Sequence, residues 1–352
     1  MVFDGNDGVN HTIEGPKLYK RDGYYYIFAP AGGVVDGWQL VMRSKNIYGP
    51  YEPRIVMAQG STDINGPHQG AWVDTPSGES WFLHFQDKGA YGRVLHLNPV
   101  EWVDGWPVIG KHKSGDITGE PVSTWPLPID GSKQQKPAAI TDGFDAMRLA
   151  PQWEWAGNYA DWFGFPTARG FYRLNSAVLS SPESNLWEVP SLLLQKYPGE
   201  SFTATTRLTV NCKQNSNGFV GGLVLFGLDY GYVAARYADG KLEIVQGECI
   251  DSDKNNMETV TTVLDNLGYD LYEAGLTPNL NTTIWLRAKV NAGGKAWFYY
   301  SFDGKKYVKC PVSFQSRQGK WVGAKVGLFS TVPTGTERGW LNIDTFDVTE
   351  IK

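Results

Sequence analysis

Two aromatic-rich runs stand in the same local grammar, with Tyr24 and Trp81 57 residues apart. The first, Tyr24-Tyr25-Tyr26-Ile27-Phe28, follows an Asp22-Gly23 pair; the second, Ser80-Trp81-Phe82-Leu83-His84-Phe85, follows Pro76-Ser77-Gly78. Asp-Gly between β-prone runs signals a two-residue hairpin, because both central residues of that turn need a positive φ. Each run has similar neighbours. Lys17 to Lys20 precedes the first, and Gln39 to Arg43 and Tyr51 to Met57 follow it. Ala71 to Asp74 precedes the second, and Gly92 to Leu97 and a Trp-rich strand ending at Ile109 follow it. A four-strand unit used twice constrains the chain to stacked sheets, and two blades of a β-propeller fit it better than a sandwich does.

The grammar then changes. Pro121, Pro126, Pro128 and Pro137, with Gly131 and the polar run Ser132 to Lys136, have linker composition, placing a linker at 121–141. Beyond it come roughly ten strand-like runs at the short spacing of a β-sandwich. They include Phe202 to Cys212, Phe219 to Leu228, Ile284 to Val290 and Ala296 to Phe302, with hairpin turns expected at Asp239-Gly240 and Asp303-Gly304. Leu286, Ala288 and Val290 alternate with Arg287 and Lys289, giving one strand a buried and a solvated face. The expectation is an all-β chain: propeller blades over 1–120, a linker over 121–141 and a sandwich over 142–352.

Charge and composition exclude several partners. Lys and Arg total 32 against 37 Asp and Glu, for a net charge of −5, so no basic field exists to hold nucleic acid. No apolar run approaches a membrane span, so no membrane partner is expected. Met1 to Asp7 reads as no signal peptide, which leaves localisation undetermined. Cys212, Cys249 and Cys310 lack zinc-ligand spacing and read as small buried hydrophobes. All five histidines lie in the first third and all three cysteines in the last half, which suggests two regions with different tasks.

The unusual chemistry is in the first region. Ile13-Glu14-Gly15-Pro16 sets a carboxylate before a Gly-Pro turn at the mouth of a strand, and Asn65-Gly66-Pro67-His68-Gln69-Gly70 sets an imidazole, next to its own Gly-Pro turn, before the equivalent strand of the second repeat. Equivalent loops of successive blades point at one axis, so Glu14 and His68 should converge. Taken alone, a Glu before Gly-Pro is a turn residue and a His there closes the turn. His84 and His96 alternate with apolar residues and read as structural. Trp38, Trp72 and Trp102 offer faces to stack on a pyranose, although most propeller tryptophans fill the space between blades.

Ile13 through Tyr26, followed by Pro30-Ala31-Gly32-Gly33-Val34, resembles the general-acid segment of glycoside hydrolase family 43, whose members are β-xylosidases, α-L-arabinofuranosidases and arabinanases on a five-bladed propeller. Ser44 to Tyr51, Gly66 to Val73, Tyr91-Gly92-Arg93 and Trp106 to Gly110 continue the likeness in order. The second region, with Gln152-Trp153-Glu154-Trp155, Gly222-Leu223-Val224 and Ser301-Phe302-Asp303-Gly304, resembles the concanavalin A-like C-terminal domain of the family's xylosidase branch.

The resemblance implies roles. Glu14 matches the general acid that protonates the departing glycosidic oxygen. His68 matches an axial histidine that helps hold a hydrated calcium ion, a water-mediated metal role, and Arg93 an arginine beside the sugar; Trp38 is a further substrate-binding candidate. The family's general base and its second aspartate come from blades that precede the Glu segment, and neither has a counterpart here. Inverting hydrolysis needs a second carboxylate roughly 6.5–9.5 Å from the acid. Among Asp36, Asp63, Asp74 and Asp87, Asp74 reads as solvated and Asp87, near Arg93, is the substitute to test. The expectation is the C-terminal portion of an inverting, exo-acting hemicellulase for xylan- or arabinan-derived oligosaccharides, weak or inactive alone unless another chain supplies the missing blades. The alternative is a non-catalytic carbohydrate-binding or scaffold protein working through its sandwich.

Overall fold

A computed structural model describes residues 2–5, 7–128, 140–265 and 280–350, with side chains in the last segment from residue 282. The chain divides into two compact units, Met1–Lys88 with Arg93–Lys136, and Gly89–Gly92 with Pro137–Lys352. The linker expected at 121–141 falls largely on residues 129–139, which lie outside the described residues.

The first unit holds two four-stranded antiparallel sheets, the two expected blades. One runs β1 (Lys17–Arg21), β2 (Tyr24–Ala31), β3 (Trp38–Ser44), β4 (Glu52–Ala58); the other runs β5 (His68–Asp74), β6 (Ser80–Asp87), β7 (Arg93–Val103), β8 (Trp106–Ile109). The Asp22-Gly23 turn forms as read, with φ of 47° and 78°. Strand β5 begins three residues earlier than the alternation suggested, at His68, because a bulge between His68 and Ala71 resets its register against β6.

Aromatic side chains pack the two sheets together. Tyr26, Phe28, Phe82 and Trp106 are buried in one cluster, with Trp72 and Trp102 packed against it. Phe28 stacks on Phe82 at 6.1 Å and Trp72 meets Trp102 edge-on at 5.1 Å, so these tryptophans fill the space between blades. Polar groups fix the register of this packing. Tyr26 Oη donates to Gly105 O at 2.7 Å, and Arg43 Nη1 donates to Asp104 O and Gly105 O at 3.0 Å each while its guanidinium covers Trp106 at 4.2 Å.

The second unit is a sandwich. Among the described residues one sheet has seven strands, in the order 164–166, 172–175, 340–350, 202–212, 280–290, 295–301, 308–315. The other has eight: 259–264, 241–249, 230–238, 219–226, 325–332, 193–196 and 154–155 in order, with 177–178 pairing 325–332 off that path. Leu286, Ala288 and Val290 are fully buried, as their alternation implied. Strands 219–226, 230–238 and 325–332 are instead nearly continuously buried, because Leu186, Val189 and Leu192 cover the outer face of their sheet. Asp239-Gly240 forms a tight hairpin, with φ of 50° and 79°. Asp303-Gly304 does not: it lies in a longer connection where Asp303 Oδ1 accepts from the N–H groups of Lys305 and Lys306 at 2.8 Å. All three cysteines are free and buried.

Candidate active site

Glu14 sits just before β1, its N–H donating to Pro30 O at 3.1 Å, so the end of β2 fixes its backbone. Gly15 follows at φ 55°, a left-handed turn that glycine adopts without strain. The carboxylate is 54% exposed and open to an incoming molecule.

His68, the first residue of β5, is 1% exposed. Its Nε2 lies 3.0 Å from Glu14 Oε1, so the expected convergence of the two loops is present in the structure. Gln69 Nε2 donates to the same Oε1, also at 3.0 Å. Burial pushes His68 below the ordinary imidazole range and the Arg93 charge adds to this, while Glu14 pulls the other way. In the tautomer with its hydrogen on Nε2, a neutral His68 donates to Glu14 Oε1.

A polar relay fixes the loop carrying His68. His96 Nε2 meets Gln86 Oε1 at 3.1 Å; Gln86 Nε2 donates to Asp63 O at 2.7 Å and Asn65 Oδ1 at 2.8 Å; Asn65 Nδ2 donates to Val35 O at 2.9 Å. His96 thus supports the loop from a distance, while buried His84 takes a hydrogen bond from Asn98 Nδ2 at 2.8 Å.

Arg93 opens β7, with its guanidinium 4.6 Å over the Phe85 ring, and Phe85 packs on His68 at 5.9 Å. It therefore stands one ring away from the Glu14–His68 pair. Trp38 packs against Ala29, Leu40 and Met42, donates to Asn10 Oδ1 at 3.3 Å and meets His11 edge-on at 6.0 Å. It braces the segment leading to Glu14.

The remaining carboxylates are scattered. Asp74 is exposed, as read from the sequence, and its Oδ1 accepts from Ser80 Oγ at 2.6 Å and Trp72 Nε1 at 3.0 Å. It ends the strand that His68 begins, about 20 Å away at the usual rise per residue. Asp87 sits opposite Arg93 across the β6–β7 hairpin, Asp63 lends its carbonyl to Gln86, and Asp36 ends an exposed helical turn.

His68 Nδ1 is buried without a hydrogen-bond partner, and among the described residues no group of three or more His, Cys, Asp and Glu is arranged to hold a metal. A bare ring nitrogen suits a hydrogen bond from an ion's water, whereas direct calcium binding requires several oxygen ligands.

Gln69 is the residue that sequence reasoning missed. Its signal was faint: an amide between His68 and Gly70, where a strand side chain would be expected to turn away from its neighbour.

The model of glycosyl hydrolases family 43 matches residues 3–107, and that of the beta xylosidase C-terminal concanavalin A-like domain matches residues 141–349. A putative beta-xylosidase from Xylanibacter ruminicola is 35% identical over 319 residues, 90% of this chain and 55% of that protein. A beta-xylosidase from Formosa agariphila is 29% identical over 371 residues, 95% of this chain and 59% of that protein. A solved structure described as a bifunctional GH43-CE protein from Bacteroides eggerthii superposes with a TM-score of 0.75 at 27% identity, over 97% of this chain and 41% of that one. The chain spans little more than half the length of the two curated relatives. With two propeller blades and the matching sandwich, it belongs to glycoside hydrolase family 43, in the group that carries the β-xylosidase C-terminal concanavalin A-like domain.

Proposed function

We propose that this chain serves in inverting, exo-acting hydrolysis of hemicellulose oligosaccharides, with Glu14 as general acid. The observation that carries the reading is the Glu14 carboxylate: about half exposed, fixed at its backbone, and held at one oxygen by His68 and Gln69. Such a group delivers a proton to a departing glycosidic oxygen in a set direction. In this reading Arg93 contacts the sugar from the Phe85 side of the site, and Trp38 acts by bracing the Glu14 segment. The names of the two curated relatives favour a β-xyloside over an α-L-arabinofuranoside.

The reading takes the water-activating carboxylate to come from outside the described residues. Asp74 is too far from Glu14 for the separation that inversion requires. We assign this role to a complementing propeller segment, and the chain alone is expected to turn over weakly. A hydrated calcium ion, held through water by His68 Nδ1, would supply positive charge close to the acid.

Assays with aryl β-xyloside and aryl α-L-arabinofuranoside test the reading. Turnover that falls by about 10²–10⁴-fold in Glu14→Gln supports general acid catalysis. Turnover unchanged by that substitution defeats it, and retention on xylan with no turnover of either glycoside favours the carbohydrate-binding alternative.

A further inference from the structure

Successive side chains of a β-strand point to opposite faces of the sheet. His68 and Gln69 are successive residues of β5, yet their Nε2 atoms reach the same carboxylate oxygen, Glu14 Oε1, at 3.0 Å each. The bulge makes this geometry. Three steps along β5, from His68 to Ala71, face two steps along β6, from Phe85 to Leu83, and Gln69 takes up the extra residue with φ 49°. A non-glycine residue in that left-handed region is uncommon and is maintained by its surroundings.

Two neighbouring glycines make room for the arrangement. A Cβ on Gly15 would lie 2.1 Å from Gln69 Oε1, in the space the amide occupies. A Cβ on Gly70 would lie 1.9 Å from the ring of Phe82, so the chain after Gln69 lies flat against that ring. The strained residue and its two glycines converge on one hydrogen bond.

We propose that Gln69 is a positioning residue which, with His68, decides which oxygen of Glu14 carries the acidic proton. Resting on the reading of Glu14 as general acid, the assignment follows from donor count. Oε1 receives a hydrogen from Gln69 Nε2 and, in the Nε2–H tautomer, a second from His68, so the carboxyl proton resides on Oε2. In the transfer step the Oε2–H bond breaks, the departing glycosidic oxygen takes the proton together with the electron pair of its broken bond to the sugar, and Glu14 is left ionised. The charge left on Glu14 then meets two donors already in place at Oε1, which cost no reorganisation at the moment of reaction.

The test uses leaving-group dependence, which a merely structural role does not move. Gln69→Asn keeps an amide that is one methylene too short and suits the left-handed conformation; Gln69→Gly removes the side chain and the strain together. Both are expected to retain the thermal midpoint of the parent chain to within a few degrees. Both should slow hydrolysis of an alkyl glycoside about tenfold, a fraction of what proton transfer supplies, and leave a dinitrophenyl glycoside nearly unchanged, since its leaving group needs no proton. Glu14→Gln should show the same pattern more strongly. Equal losses on both substrates, or none, in the Gln69 variants while Glu14→Gln discriminates overturns the positioning role alone. Absence of discrimination in Glu14→Gln, including absence of turnover, overturns the reading of Glu14 and this inference with it.

Discussion

Gly70 shows how little room the site leaves at single residues. The Phe82 ring that its Cβ would strike is fully buried between the two sheets, and the positions before it carry the donors to Glu14. Overpacking of this kind costs about 1–3 kcal/mol. Gly70→Ala is therefore expected to lower the unfolding midpoint of the first unit in a thermal melt and, by shifting Gln69, to slow hydrolysis of poor leaving groups more than good ones. An alanine variant as stable as the parent would show that the bulge is not held by the Phe82 ring. Residue type alone pointed to Glu14 and His68, because a carboxylate just before one Gly-Pro pair and an imidazole just after another are visible as strings. It did not point to Gln69, since the sequence does not display which non-glycine residue will adopt a positive φ.

At the scale of elements, β6 and β7 carry a stacked pair of imidazoles, His84 buried and His96 half-buried. His84 stacks on His96 at 5.5 Å, and Asn98 donates to its Nε2, an arrangement that suits only the neutral ring. Burial pushes His84 down to about 4, and His96 lies below the ordinary range for the same reason, with Lys88 adding to it. The unfolded chain thus takes up protons that the folded blade refuses. The resulting stability is fully present above about pH 6.5 and is lost as pH falls from there toward 4. For His84 the loss is on the order of 3 kcal/mol. Denaturant melts of the first unit at pH 7 and pH 4.5 should differ accordingly, and His84→Gln should flatten the difference; a parent protein equally stable at both values would refute the assignment. Strand positions were legible here because alternation is local. The β5 start was not, because the bulge depends on what β6 presents across the sheet.

For the whole molecule, the two units have separate buried clusters, and all three thiols belong to the sandwich. Burial pushes Cys212 and Cys310 up to about 12. A thiol reagent at pH 8 is expected to label none of the cysteines quickly in the native protein and all three once the sandwich unfolds, at a rate that Gly70→Ala leaves alone. Rapid native labelling of any one would show that the sandwich opens locally. The sequence by itself determined the all-β class, the two kinds of unit, most turns and the meeting of Glu14 with His68, because period-two alternation, Asp-Gly pairs and Gly-Pro turns are properties of neighbouring residues. Only the tertiary structure decided that Trp72 and Trp102 fill the space between sheets, that Asp74 is pinned at the far end of its strand, and that Gln69 turns back onto Glu14. Each of these depends on which ring or donor the folded sheets bring against the residue: for Asp74 that is its own β5–β6 hairpin, and for the others it is packing between strands distant in the chain.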